Sequence, residues 1–157
     1  MSQIPEDMIA QLVASTHDVF VKMVFRELSS LTPIQGEALR PRSNVVGTVA
    51  FAGGRCGIVA FYTTTETARE IAGAMLGMAP GEVNGEMPDA IGEITNMIAG
   101  AFRTRMAAKE QPWAISIPAV TIGSDFYTKY VSDVQRVLCP FSMSDSEVFV
   151  ELILTTF

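Results

Sequence analysis

The sequence predicts an α+β domain in two layers, a largely antiparallel sheet packed by long helices. Three observations predict it. Apolar residues recur at helical spacing in three separate segments, and β-rich runs come in pairs joined by turn residues. The order of elements is helix, two strands, two helices and three strands, which segregates helices from hairpins instead of alternating them one by one. A helix-plus-hairpin unit is legible around Val19–Thr63 and again around Ile94–Thr155, the pattern of a pseudo-twofold duplication with slight identity between the halves.

The elements follow in order. From Pro5 to about Arg26, Met8, Ile9, Leu12, Val13, Val19 and Phe20 fall on one helical face, and Pro5 suits a first turn. Leu28–Ser43 holds Pro33 and Pro41 and reads as a connection. Val45–Ala52 and Arg55–Thr63, joined through Gly53-Gly54, read as a hairpin. Thr63 with Glu66 resembles a capping box for a helix that sets Ala68, Ile71, Ala72, Met75 and Leu76 on one side. Pro80-Gly81 should end that helix, and Gly81–Met87 is a polar loop. A long helix then runs from about Pro88 to Lys109. Strands are expected at Ala114–Ile122, Val131–Leu138 and Glu147–Thr155, the last two forming a hairpin around the turn-rich Pro140–Ser146. Pro118 inside the first of these marks an edge or a bulge.

Composition narrows the classes of function. The 157 residues suit one domain, 1–157, and 48% of them are hydrophobic against 18% charged. Mean hydropathy is +0.30, so a membrane span has to be tested. The longest apolar stretches, Cys56–Tyr62 and Ile71–Ala79, fall far short of the ~20 residues a spanning helix needs. Glu6 and Asp7 stand where a signal peptide would be basic and then apolar. A cytoplasmic location is expected, with no membrane partner. Seventeen acidic residues against eleven basic ones, a net charge of −6, give no electrostatic reason to bind nucleic acid. Cys56 and Cys139 lie in separate apolar runs and read as two buried, reduced thiols. His17 is the sole histidine, which removes a His/Cys zinc cluster, and no Gly-x-Ser-x-Gly elbow accompanies it. Phosphate loops of the Gly-x-Gly-x-x-Gly or Walker type are absent too.

One helix carries a pattern that remains. With Asp89 as origin and about 100° per residue, Glu93 falls near 40°, Asn96 near −20° and Gly100 near 20°. Ile91, Ile94, Ile98 and Phe102 cluster on the opposite side. The apolar side must face the core, so the stripe of Asp89, Glu93, Asn96 and Gly100 faces solvent or a partner. Gly100 costs about 1 kcal/mol in mid-helix relative to Ala, and its bareness permits close approach. On residue chemistry alone, a solvated helix face is the favoured explanation of the stripe.

The run Asp89-Ala90-Ile91-Gly92-Glu93-Ile94-Thr95-Asn96, continued by Met97-Ile98-Ala99-Gly100, resembles the Asp/Ser-x-x-x-Glu-x-x-Asn signature of the CheC/CheX chemotaxis phosphatases. Ser116-Ile117-Pro118 with Gly123 resembles the strand after that signature, where the family also has a proline. Asn96 and Pro118 stand about one residue closer than is usual there, which implies a trimmed loop near Glu110–Pro112. The resemblance implies a CheC-like fold. Shifting the first helix onto the signature sets Asp18 on Glu93 and Val21 on Asn96, so only one half keeps the pair, as in CheX-like members.

It further implies a phosphorylated CheY-like response regulator as substrate and a likeness to CheX homodimers. The chain would need no cofactor of its own, since Mg2+ belongs to the regulator. Glu93 and Asn96 would be the catalytic pair, with Asp89 and Gly100 in partner binding. Two other classes stay open: a non-catalytic module that binds receivers or flagellar-switch components, and a structural dimer using a sheet edge.

Overall fold

In the computed structural model, which describes residues 3–36, 41, 43–124, 126, 128–130 and 133–155, the first amphipathic segment becomes α1 (Glu6–Val19). The expected connection at 37–40 and 42, and the expected strand start at Val131, lie outside the described residues. Buried Met8, Ile9, Leu12 and Val19 hold α1 to the core, and a π-helical turn, Phe20–Val24, extends it. Phe25, in the left-handed region at φ 60°, ends the turn.

The segment read as a connection holds two short strands, β1 (Ser29–Ser30) and β2 (Ile34–Gln35). Two residues on either side of Pro33 leave no periodicity to read. They form because the outer edge of a later strand must satisfy its backbone groups. The hairpin appears as β3 (Val45–Ala52) and β4 (Gly57–Thr63), antiparallel from Val45↔Thr63 to Phe51↔Gly57. Helix α2 (Thr65–Leu76) is capped by Thr64, whose hydroxyl accepts from the Thr67 N–H at 3.2 Å. The capping box expected at Thr63 and Glu66 is therefore displaced by one residue, because Thr63 is still paired inside β4 and buried. Gly77, at φ 70°, ends α2 before Pro80-Gly81 does. Leu76, expected on the buried side, is half exposed.

Helix α3 (Glu86–Ala107) starts two residues before Pro88, so Met87 is helical and buried instead of in a loop. The expected strand Ala114–Ile122 is interrupted at 116–118 into β5 (Ala114–Ile115) and β6 (Ala119–Ile122), both on the free side of β3. Pro118 thus sits at an edge, where its missing N–H costs no ladder bond. The last hairpin, β7 (Val134–Met143) and β8 (Ser146–Thr155), turns over Ser144-Asp145 alone. The stretch read as turn-rich is mostly strand despite Pro140. Its carbonyl accepts from the Leu31 N–H at 3.0 Å, and N–H and C=O of one residue point to the same side of an antiparallel strand. The imide nitrogen of Pro140 therefore faces the gap between β1 and β2 and not β8.

Strands run β1-β7-β8-β4-β3-β5, with β2 also on β7 and β6 also on β3. Read from either end, the order is the same: a broken edge strand, an outer strand, an inner strand. Two hairpins meet at β4 and β8, and this is the duplication the sequence hinted at. Helices α1 and α3 pack side by side, tied by ion pairs of Asp18 with Arg105 and Asp7 with Lys109. Between helices and sheet lie Phe20, Phe61, Phe102, Phe141, Ile91 and Leu152, all inaccessible. Trp113 closes one end, stacked on Phe51 at 4.5 Å. No helix among the described residues is long and apolar enough to cross a membrane.

Cysteines 56 and 139 are both free, but only Cys139 is buried. Burial, aided by the nearby Glu151 charge, pushes the Cys139 thiol up to about 12, so it is inert near neutrality. Glu151 itself is only 2% exposed, on a strand that faces helices on its other side. Its carboxylate accepts from the Tyr62 hydroxyl at 2.6 Å and the Arg136 guanidinium at 2.7 Å, and Arg136 lies 5.3 Å from the Tyr130 ring centre. Burial and then the Glu151 charge raise the Tyr62 hydroxyl above its ordinary range.

This buried pair generates a stability prediction. Arg136→Met strands the Glu151 charge and lowers unfolding free energy by about 3–5 kcal/mol. Arg136→Met with Glu151→Leu recovers most of that loss. Urea titration of both variants checks the pair, and equal stability of the single variant and the wild type would refute it.

Candidate functional site

The rotation of α3 about its axis decides which residues it offers. Ile91, Ile94, Ile98 and Phe102 are fully buried, and Met87, Ala90, Thr95 and Ala99 widen that face. Thr95 settles the depth: a Cβ on Gly47 of β3 would stand 2.0 Å from the Thr95 hydroxyl oxygen. That hydroxyl donates to the Ile91 carbonyl at 2.7 Å and is thereby satisfied within its own helix. On one flank Gly92 meets the bridge between β5 and β6, where an added Cβ would lie 3.5 Å from Val120 and 3.8 Å from Pro118.

With that face fixed, the opposite stripe is determined. Asp89 and Glu93 are exposed, while Asn96 and Gly100 are half-buried, although the helical wheel sets Glu93 nearest the apolar side. A helical turn separates Glu93 from Asn96, so their side chains stand roughly 5–6 Å apart at Cβ. Among the described residues no hydrogen bond or ion pair engages the side chain of Asp89, Glu93 or Asn96. A Cβ on Gly100 would touch nothing, so this glycine is not required by packing against its own fold. The result is a carboxylate and an amide free to reach outward, above a bare spot on the helix.

Chemically, such a pair can do two things. The carboxylate can accept from a cation, and the amide can donate and accept at once, which lets it hold a water without adding charge. No group of three His, Cys, Asp or Glu side chains comes together as a metal site among the described residues.

The corresponding positions on the first helix are different. Val21, the counterpart of Asn96, is 51% exposed within the π-helical turn, and Asp18 is engaged by Arg105. A neighbour of the stripe enters the sequence reading only as part of a proline-bearing strand, with no exposure foreseen for it. Ile117 stands on the bridge beside Gly92 and is 87% exposed. Its only sequence signal is the proline after it.

A family model described as chemotaxis phosphatase CheX matches residues 45–142, more than half of the chain. CheX of Vibrio vulnificus is 26% identical, with a TM-score of 0.85 over 94% of this chain and 99% of that one. A CheC-like superfamily protein from a Shewanella species, 24% identical, reaches a TM-score of 0.87 over 98% of this chain and all of its own. CheX of Borrelia burgdorferi, solved in complex with CheY, BeF3 and Mg2+, is 23% identical with a TM-score of 0.77 over 97% of this chain and 100% of its own. The last two likenesses are of fold. No curated protein matches the chain.

The open space at Gly100 has a direct consequence for stability. Gly100→Ala should raise unfolding free energy by about 0.5–1 kcal/mol, since the backbone gains helix propensity and the methyl meets nothing. A urea midpoint below that of the wild type would show that the glycine serves the fold after all.

Proposed function

The chain belongs to the CheX family of chemotaxis phosphatases, and from that premise we propose that it removes phosphate from the phospho-aspartate of a CheY-like response regulator. The observation that carries the reading is the pair of unengaged side chains, Glu93 and Asn96, on the one face of α3 that the core leaves free. The Borrelia CheX complex with CheY lends the partner class, and Mg2+ in that complex accords with a metal that the regulator brings.

An acyl phosphate already has a good leaving group, so the helper needs no nucleophile of its own. Its task is to hold one water in line with phosphorus, which is a positioning task. In this reading Asn96 enters the regulator's cleft, and its amide orients the attacking water. Glu93, one turn earlier, accepts from the regulator's active-site lysine and fixes the register of the helix. Asp89 contacts the partner further along the stripe. Gly100 gives the cleft rim room to close on the helix. A receiver substrate makes the protein a cytoplasmic one.

A homodimer fits the distribution of apolar surface. Val21 and Phe25 before β1 and Leu31 after it are exposed, and a second copy would cover them. Sedimentation at micromolar concentration is expected to give a dimer that Phe25→Asp splits; a wild-type monomer would end this assignment.

The catalytic reading is tested by phosphate release from a phosphorylated receiver. Asn96→Ala lowers kcat by about a hundredfold while the chain stays folded. Glu93→Ala weakens docking as well as turnover. If the wild type and Asn96→Ala release phosphate at equal rates, the amide has no catalytic part.

A further inference from the structure

We propose that Arg103 is the cationic end of the α3 stripe and docks an oxyanion bordering the partner's phosphorylated aspartate, a contact that rests on the receiver reading above. Stepping about 100° per residue from Asp89 puts Arg103 near −40°, between Asn96 near −20° and Gly92 near −60°. The helix is regular from Glu86 to Ala107, so that direction holds along its length. Arg103 therefore continues the stripe beyond Asn96, about 10.5 Å further along the axis. The Cα–Cβ bonds of a helix tilt toward its N-terminus, so the Arg103 stem starts back in the direction of Gly100 and Asn96. Gly100 lies between the two, and a Cβ there would meet nothing within 4 Å. Amide and guanidinium thus stand on either side of a bare notch that a partner group can enter.

An arginine without an acid is common on protein surfaces, but this one contrasts with its neighbours. Arg105 and Lys109, the next two basic residues, are engaged by Asp18 and Asp7 of α1. Arg103 is half-buried, and among the described residues no ion pair or hydrogen bond engages its side chain. With seventeen acidic residues against eleven basic ones, acids are plentiful in this chain, yet none is paired with Arg103. Burial of an arginine stem leaves its planar fork available, and that fork matches the geometry of carboxylate and phosphate. Charge along the stripe then changes sign: Asp89 and Glu93 are negative, Asn96 is neutral and Arg103 is positive. A receiver phosphorylated on aspartate presents phosphoryl oxygens, and Mg2+ beside them is held by oxygen ligands, carboxylates among them. A lysine facing Glu93 and oxyanions facing Asn96 and Arg103 admit the receiver in one direction along the helix. The reversed docking would set phosphate against Glu93 and Asp89, and like charges reject it. Arg103 thus fixes the direction of docking.

The experiment measures turnover of a phosphorylated CheY receiver, and binding of that receiver with Mg2+ alone or with Mg2+ and beryllofluoride. The proteins compared are the wild type, Arg103→Gln, Arg103→Lys and Asn96→Ala. Arg103→Gln should raise KM and Kd on the order of tenfold with kcat and the urea midpoint unchanged, and Arg103→Lys should recover part of the loss. The dependence of Kd on salt should flatten in Arg103→Gln, since the lost contact is between charges. A residue that merely supports the fold would not change that slope. Weakening confined to the beryllofluoride-loaded receiver assigns the oxyanion to the phosphoryl group, and equal weakening of both forms assigns it to a carboxylate beside it. Equal KM and Kd for Arg103→Gln and the wild type overturn the proposal, as do a loss confined to kcat and a loss with an unchanged salt slope. If Asn96→Ala keeps full turnover while Arg103→Gln loses affinity, the catalytic reading fails and the docking contact stands. A wild type that neither binds nor hydrolyses any receiver removes both.

Discussion

The close approach of α3 to β3 at Gly47 and Thr95 is the constraint on which the rest depends. Helix and strand meet there with no room for one more carbon, and the close packing around that contact fixes the depth of the helix on the sheet. Four residues beyond hydrogen-bond reach of the core, Asp89, Glu93, Asn96 and Gly100, owe their common direction to that contact. An inserted side chain at Gly47 would have to lift α3, and a lift of one carbon diameter would tilt the stripe away from the bridge at Pro118. Packing at the back of the helix thus sets geometry at its front.

The mirror-like strand order gives that constraint a second half to be compared with. Each of α1 and α3 precedes a hairpin in the chain, yet only α3 packs closely on the sheet and remains a regular helix throughout. In α1 the region that should carry the pair lies in a π-helical turn that ends at Phe25 in the left-handed region. An extra residue in the turn rotates the residues after it, which disturbs any three-residue spacing between a carboxylate and an amide. Asp18, the one acidic group kept there, is spoken for by Arg105, so the first half works as a buttress to α3. Its ion pair and that of Asp7 with Lys109 tie α1 along the far end of the signature helix.

Much of this was legible in the residues, and the parts that were not have identifiable causes. Periodicity located α1, α2 and α3 because each buries one face, and β-rich runs joined by turn residues located both hairpins. The same arithmetic put Asp89, Glu93, Asn96 and Gly100 on one stripe. β1 and β2 escaped because two residues have no period. Pro140 misled because a proline's cost depends on which side of the strand its nitrogen faces, a matter of sheet topology and not of composition. The cap moved from Thr63 to Thr64 because a strand partner, Val45, held Thr63 in the sheet. Glu151 was invisible as a buried charge, since its partners Tyr62 and Arg136 are 89 and 15 residues away in the chain.

Charge finally explains the composition of the stripe. Two carboxylates and one amide are spread along it, and the amide is the member flanked by Gly100 and by the bridge at Pro118. A phosphoryl group is strongly negative, and a carboxylate about 4 Å from it would be repelled by about 4 kcal/mol at a protein-surface dielectric. In the proposed reading the attacking water is held at that distance by a group that carries no charge, and Asn96 is the neutral member of the set. Glu93 can be negative because, in the proposed docking, it meets the regulator's lysine one helical turn from the phosphorus. Exchanging the two residues would keep every atom count and still fail, since attraction and repulsion would each act at the wrong end. In the proposed reading, the overall charge of −6 accords with an anionic substrate because the helix sets its carboxylates apart from the amide.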